Sequence, residues 1–376
     1  MRLARALALL LVAAALAEAG LRLARFGPSR AAVGPWSTSP PWERLRRLAP
    51  DGTPEPRPGG DAAWSLGAGE PVIGYRLNGA GLRDDREAGP HAPRGSCRVL
   101  ALGDAYTFGY GVPADAAWPR VLERELGRDA PVEVLNAGFP NLDVEQQERR
   151  LRALLPALHP DVVVATFDWW NVPLDRRAAR PARWSAAWWL ANADEKAARV
   201  GTWLGIVHEP LRLLRQASGV FPRSGLAREL DPLTAPPEAL RDRWLRTETA
   251  LRAMAADARA TGARFALVVT PLDVQVDVRR NALYRRGALP YPAHGFVDID
   301  YSTARAMPDA LAAFARDAQL PLLDTTPAFV AGGAHLFLAG DYHAGPDGHA
   351  AIAHTIAVWF RTARPCGRAP AEASAR

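Results

Sequence analysis

At 376 residues, with 48% hydrophobic and 23% charged side chains, the chain has the composition of a globular protein. It is long enough for one large α/β domain with appendages or for two smaller domains. The formal charge of +6 is carried almost wholly by arginine, Lys196 being the only lysine; the arginines lie scattered among alanine and proline, which argues against a phosphate-binding stripe and so against nucleic acid as a partner.

Arg2 and Arg5 precede the apolar stretch ALALLLVAAALA at 6–17, and Ala17-Glu18-Ala19 follows it. A basic start, a short apolar segment and a small-x-small site have the layout of a secretory signal peptide. The stretch is shorter than the roughly 20 residues of an ordinary spanning helix. Leu21, Leu23 and Phe26 extend its apolar character, however, so residues 1–19 read as a cleaved signal peptide or as a signal anchor that tethers the chain to a membrane. Both readings place the body outside the cytoplasm: periplasmic, secreted, or membrane-anchored and facing outward. Residues 20–93 form a Pro/Gly/Arg-rich segment in which PSRAAVGPW and APDGTPEPRPGGD read as linker or loosely packed surface. Within it, YRLNGAGLRDD at 75–85 has extended character and a turn at Asn78-Gly79.

From residue 94 the pattern changes. Apolar runs at 98–102, 132–135, 162–167, 265–269 and 321–324 are almost continuously hydrophobic, as strands buried on both faces are. Helical spacing appears between and after them at 118–126, 144–158, 237–260, 308–318 and 349–362. This alternation predicts a three-layer α/β/α sandwich on a mainly parallel five-stranded sheet, flavodoxin-like, over residues 94–364. Residues 176–233, with Trp184, Trp188, Trp189 and Trp203, break the rhythm and read as a mainly helical insertion. Residues 365–376 are a C-terminal tail.

Ligands of open parallel sheets sit beyond the carboxyl ends of the strands. The loops there hold Gly103-Asp104-Ala105, then NAGFPN with Asn136, Gly138 and Asn141, then DWWNVP with Asn171. The last, before the final helix, is GDYHAGPDGH with Asp341, His343 and His349. In this order the four blocks resemble those of the SGNH hydrolases, the GDSL-type esterase and lipase superfamily, over about residues 75–360. LNGAGLRDD is similar to the segment that precedes the first block in exported members.

The resemblance implies a serine at the first block, and this chain has Ala105 there. It places the acid and base on Asp341 and His343, and the oxyanion hole on the Ala105 N–H, Gly138 and Asn171. Asp104 is a supporting residue that also suits a plain turn cap. Val172 stands where the family often has Asp, and His349 matches a histidine to which we assign a structural role. Alanine retains the backbone N–H of the hole and lacks only the attacking oxygen. The expected protein is therefore an exported SGNH-like chain that binds an O-acylated glycan, a lipid ester or a partner in the former cleft. The alternative is an ester hydrolase whose His343 activates water. No motif calls for a metal, nucleotide or other cofactor.

Cys97 precedes the first strand, at the pole opposite these loops. Cys366 follows the last helix, which runs antiparallel to the sheet and ends at that same pole. The two are expected to form a disulfide or to stay as unpaired small hydrophobes.

Overall fold

The computed structural model describes residues 2–26, 42–49, 54–64, 71–173, 237–277, 279, 306–339 and 341–366; the expected insertion at 176–233 lies outside them. The chain opens with helix α1 (Arg2–Phe26). Leu9, Leu10, Leu11 and Leu16 of α1 are all more than 60% exposed, so nothing described covers its apolar surface. Among the described residues no helix is long and apolar enough to cross a membrane.

Part of the segment expected to be loose is built. After the turn α2 (Trp42–Leu45), β1 (Arg46–Leu48) pairs antiparallel with β2 (Pro54–Pro56). Strand β3 (Asp61–Trp64) then pairs antiparallel with β4 (Ile73–Arg76). The alternating burial of β3 and β4 turns Trp64, Ile73 and Tyr75 inward, where they pack with Phe108, Phe139 and Leu142 of the main domain. Trp64 stacks on Tyr75 at 3.6 Å between ring centroids, and Tyr75 lies 5.4 Å from Phe108. Aromatic pairs of this kind contribute about 0.5–1.5 kcal/mol beyond their burial. They hold a Pro- and Gly-rich stretch that its composition alone would leave unstructured.

The main domain follows the expected alternation. Strand β5 (Cys97–Leu102) leads into the short helix α3 (Ala105–Phe108) and then α4 (Trp118–Leu126). Next come β6 (Val132–Asn136), α5 (Val144–Leu158) and β7 (Val162–Phe167). After the insertion lie α6 (Arg241–Ala260), β8 (Arg264–Val269) and α7 (Asp273–Val276). The chain then forms α8 (Ala306–Asp317), β9 (Leu322–Asp324), α9 (Thr326–Gly332) and α10 (Pro346–Ala363). The sheet order is β6-β5-β7-β8-β9, and every pair in it is parallel.

Every residue of β5 and β7 is buried, which is why these strands show no polar alternation. One core lies on each face of the sheet. Leu100, Leu102, Val163 and Ala165 pack toward α5 and α6, while Val99, Ala101, Val162 and Val164 pack toward α4 and α10. The chain reverses its winding between β5 and β7, and that switch point opens a crevice at the carboxyl ends of the two strands.

At the opposite pole α10 ends at Arg364, in the left-handed conformation, and Pro365 stops the helix. Cys366 then reaches Cys97, with 5.6 Å between Cα atoms and a sequence separation of 269. The disulfide thus ties the last helix to the first strand of the sheet. In the chain-entropy model so long a loop is worth about 5 kcal/mol, and native bridges typically contribute about 2–4 kcal/mol. Reduction is therefore expected to lower the unfolding free energy by about 2–4 kcal/mol, read from urea titrations with and without reductant. An unchanged midpoint would contradict it.

Candidate active site

At the switch point Gly103 leaves β5 where no other residue fits, because an added Cβ would overlap the hydroxyls of Thr107 and Thr166. Those hydroxyls bond each other at 2.6 Å and fix α3 against β7. Asp104 caps α3, its Oδ1 accepting from Tyr106 N at 3.0 Å. Ala105 is therefore the first helical residue, 6% exposed, and it lines a cavity of about 170 Å³. At that position its N–H takes no part in the intrahelical ladder.

The loop before α10 carries Asp341 and His343. Asp341 Oδ1 accepts from His343 N at 2.9 Å and pairs with His343 Nδ1 at 2.6 Å. With Nδ1–H held by the carboxylate, Nε2 is left as the acceptor nitrogen. The imidazole is 7% exposed, lines the same cavity as Ala105, and sits between Tyr110 and Tyr342 at 4.4 and 4.2 Å. Tyr106 Oη donates to Tyr342 O at 2.9 Å, which binds α3 to this loop.

Two of the three expected oxyanion-hole residues direct their N–H groups to other protein atoms. Gly138 does not line the cavity; its N–H donates to Asn136 Oδ1 at 3.0 Å. It is glycine because a Cβ there would overlap Thr107 and Phe108. Asn141, exposed and at φ 63°, is the residue of this loop that faces the cavity instead. Asn171 does line the cavity, but its Nδ2 donates to Asp104 Oδ2 at 3.1 Å and to Leu142 O at 3.3 Å. An amide has two such hydrogens, and both are committed. Its Oδ1 accepts from Asp168 N, so the side chain braces the loops.

Residues 101–351 match the family model described as GDSL-like lipase/acylhydrolase. The chain belongs to that family. No curated protein sequence matches it. Among solved structures it is similar to TesA at 15% identity, covering 72% of this chain and 99% of that one, with a TM-score of 0.40. It is also similar to the esterase EstA from Pseudoalteromonas sp., at 14% identity, 71% and 98% coverage and a TM-score of 0.39. The lipase/acylhydrolase from Enterococcus faecalis gives 15% identity, 71% and 96% coverage and a TM-score of 0.40.

In this GDSL-like chain the cavity rim also carries residues that motif reading passes over: Trp170, Tyr342 and Gln146. Trp170 and Tyr342 lie 5.2 Å apart and form an aromatic edge. Asp168, which motif reading also passes over, pairs with Asp104. Burial, and then the Asp104 charge, push the Asp168 carboxyl well above the usual carboxylate range. Its Oδ2 receives no hydrogen bond from any N–H or hydroxyl. Burial raises the Asp104 carboxyl as well, so the two neighbouring carboxyls oppose each other's ionisation. Among the described residues no group of three or more His, Cys, Asp or Glu gathers as a metal site.

His349 caps rather than reacts. Its Nδ1 accepts from Trp118 N, the first N–H of α4, at 3.3 Å. Burial, with Arg83 and His343 nearby, lowers its pKa from 6.5 to about 3. Between those values the unfolded chain binds a proton that the folded chain excludes, so stability falls as pH drops through the window. The advantage of wild type over His349→Gln is therefore expected to shrink by about 3 kcal/mol from pH 7 to pH 4. Denaturant titrations at the two pH values measure it; parallel pH profiles would contradict the assignment.

Proposed function

We propose that this GDSL-like family member is an exported binding protein. It holds an O-acylated glycan, a lipid ester or an acylated partner in a hydrolase cleft that has lost its nucleophile. The observation that carries the reading is Ala105 in one cavity with a His343 oriented by Asp341. His343 is oriented as a base would be, and residue 105 has no side-chain oxygen for it to activate. Export is supported by the disulfide and by the exposed leucines of α1, which suit a signal peptide or a membrane tether.

A second reading follows from the same imidazole. Its Nε2 is an acceptor and can take a proton from water, which gives slow ester hydrolysis at a site without a serine. Mass spectrometry of what co-purifies with the exported protein separates the two. An intact ester-bearing glycan or lipid supports binding. Robust turnover of acetyl esters by wild type, abolished in His343→Ala, overturns it in favour of hydrolysis.

A further inference from the structure

Helix α5 opens with a reciprocal cap in which Gln146 N donates to Asp143 Oδ1 at 2.9 Å and Asp143 N donates to Gln146 Oε1 at 2.8 Å. The backbone N–H of Asp143 requires an oxygen, so the cap sets which end of the amide is which. The nitrogen end is turned away from it. Gln146 is only 5% exposed and lines the cavity, and no acceptor among the described residues takes its Nε2. Nε2 is not one of the fully buried polar atoms left without a partner, so it opens onto the cavity, where an occupant can accept from it.

The chemistry of the lining narrows that occupant. The described lining has two aspartates, Asp104 and Asp143, and no lysine or arginine. An anionic acceptor would meet carboxylates without a cation to offset them. The apolar part is Ala105, Leu142, Val172 and the aromatic edge, and the described volume is about 170 Å³. A dry cavity of about 150 Å³ holds a benzene molecule, so a short acyl group fits this one.

We infer that Gln146 Nε2 donates to the carbonyl oxygen of a short, uncharged acyl ester, and so selects neutral esters over carboxylates. The inference rests on the proposed acyl-binding function. Ligand-observed NMR titration of the full chain with peracetylated methyl glucoside and with sodium acetate tests it in wild type, Gln146→Glu and Gln146→Met. Glutamate keeps an oxygen for the Asp143 cap but removes the donor and adds a charge; methionine removes the donor without the charge. Wild type should bind the ester and not acetate, and both variants, once shown to be folded, should bind the ester at least about tenfold more weakly. Undiminished ester binding in either folded variant overturns the role of Gln146 and leaves the acyl-binding reading standing. Preference of wild type for acetate overturns the selectivity. Failure of wild type to bind either probe overturns both.

Discussion

Ala105→Ser should raise turnover of p-nitrophenyl acetate by about 10³–10⁴-fold. Removing the nucleophile from a serine hydrolase costs about 10⁶ in turnover, so restoring it to an aligned base could return most of that. The gain is smaller here because the oxyanion donors are incomplete. Both hydrogens of the Asn171 amide are committed to Asp104 and Leu142, and Gly138 N–H to Asn136. A missing donor costs about 10²–10³. Steady-state kinetics of the substituted chain measure the result. A gain below about tenfold would show that His343 does not address the side chain of residue 105.

Loss of Arg83 should destabilise the chain by about 3–5 kcal/mol. Its guanidinium, 3% exposed, donates to Phe108 O at 2.6 Å, Gly109 O at 2.5 Å and Val112 O at 2.7 Å. The first two are carbonyls at the end of α3, which a helix of four residues leaves without partners. The same group lies over Tyr75 at 4.4 Å and Phe108 at 4.9 Å, joining the N-terminal hairpin to the nucleophile turn. Burial pulls its pKa down to about 10, which still leaves it charged at neutral pH. Arg83→Ala removes the side-chain donor from Val112 O and leaves Phe108 O and Gly109 O only the longer bonds from Asn136 Nδ2 at 3.4 Å and Val112 N at 3.3 Å, and Arg83→Lys cannot span the three because an ammonium lacks the planar fork. Urea denaturation of both variants provides the test. A loss under about 1 kcal/mol in Arg83→Ala would mean that the carbonyls find water instead.

What the sequence makes legible is local or follows from topology. The apolar runs of β5 and β7 and the 3.6-residue spacing of α4 and α5 need no distant partner to be recognised. The pairing of Cys97 with Cys366 follows once the strand and helix directions are known, because both residues lie at one pole. The paired strands at 61–64 and 73–76 are not legible in this way. Their reason for folding is Phe108, Phe139 and Leu142, which lie far along the chain. The same applies to Arg83, and to Arg150, whose Nε donates to Ala137 O and whose NH2 donates to Gly81 O.

Motif order located the site loops but not the direction of each polar group within them. Asn171 and Gly138 stand in the expected blocks, yet hydrogen bonds to Asp104, Leu142 and Asn136 decide where their N–H groups point. Gln146 was hidden for a related reason. A glutamine three residues after an aspartate reads as a helix cap, and only the cavity shows that its other end is unused.

Labelling with a fluorophosphonate, followed by intact-mass spectrometry, tests most directly whether His343 is aligned to activate a nucleophile at position 105. Wild type should remain unlabelled, Ala105→Ser should gain one adduct at the substituted position, and Ala105→Ser combined with His343→Ala should lose it. An adduct on wild type, or none on Ala105→Ser, would contradict the account.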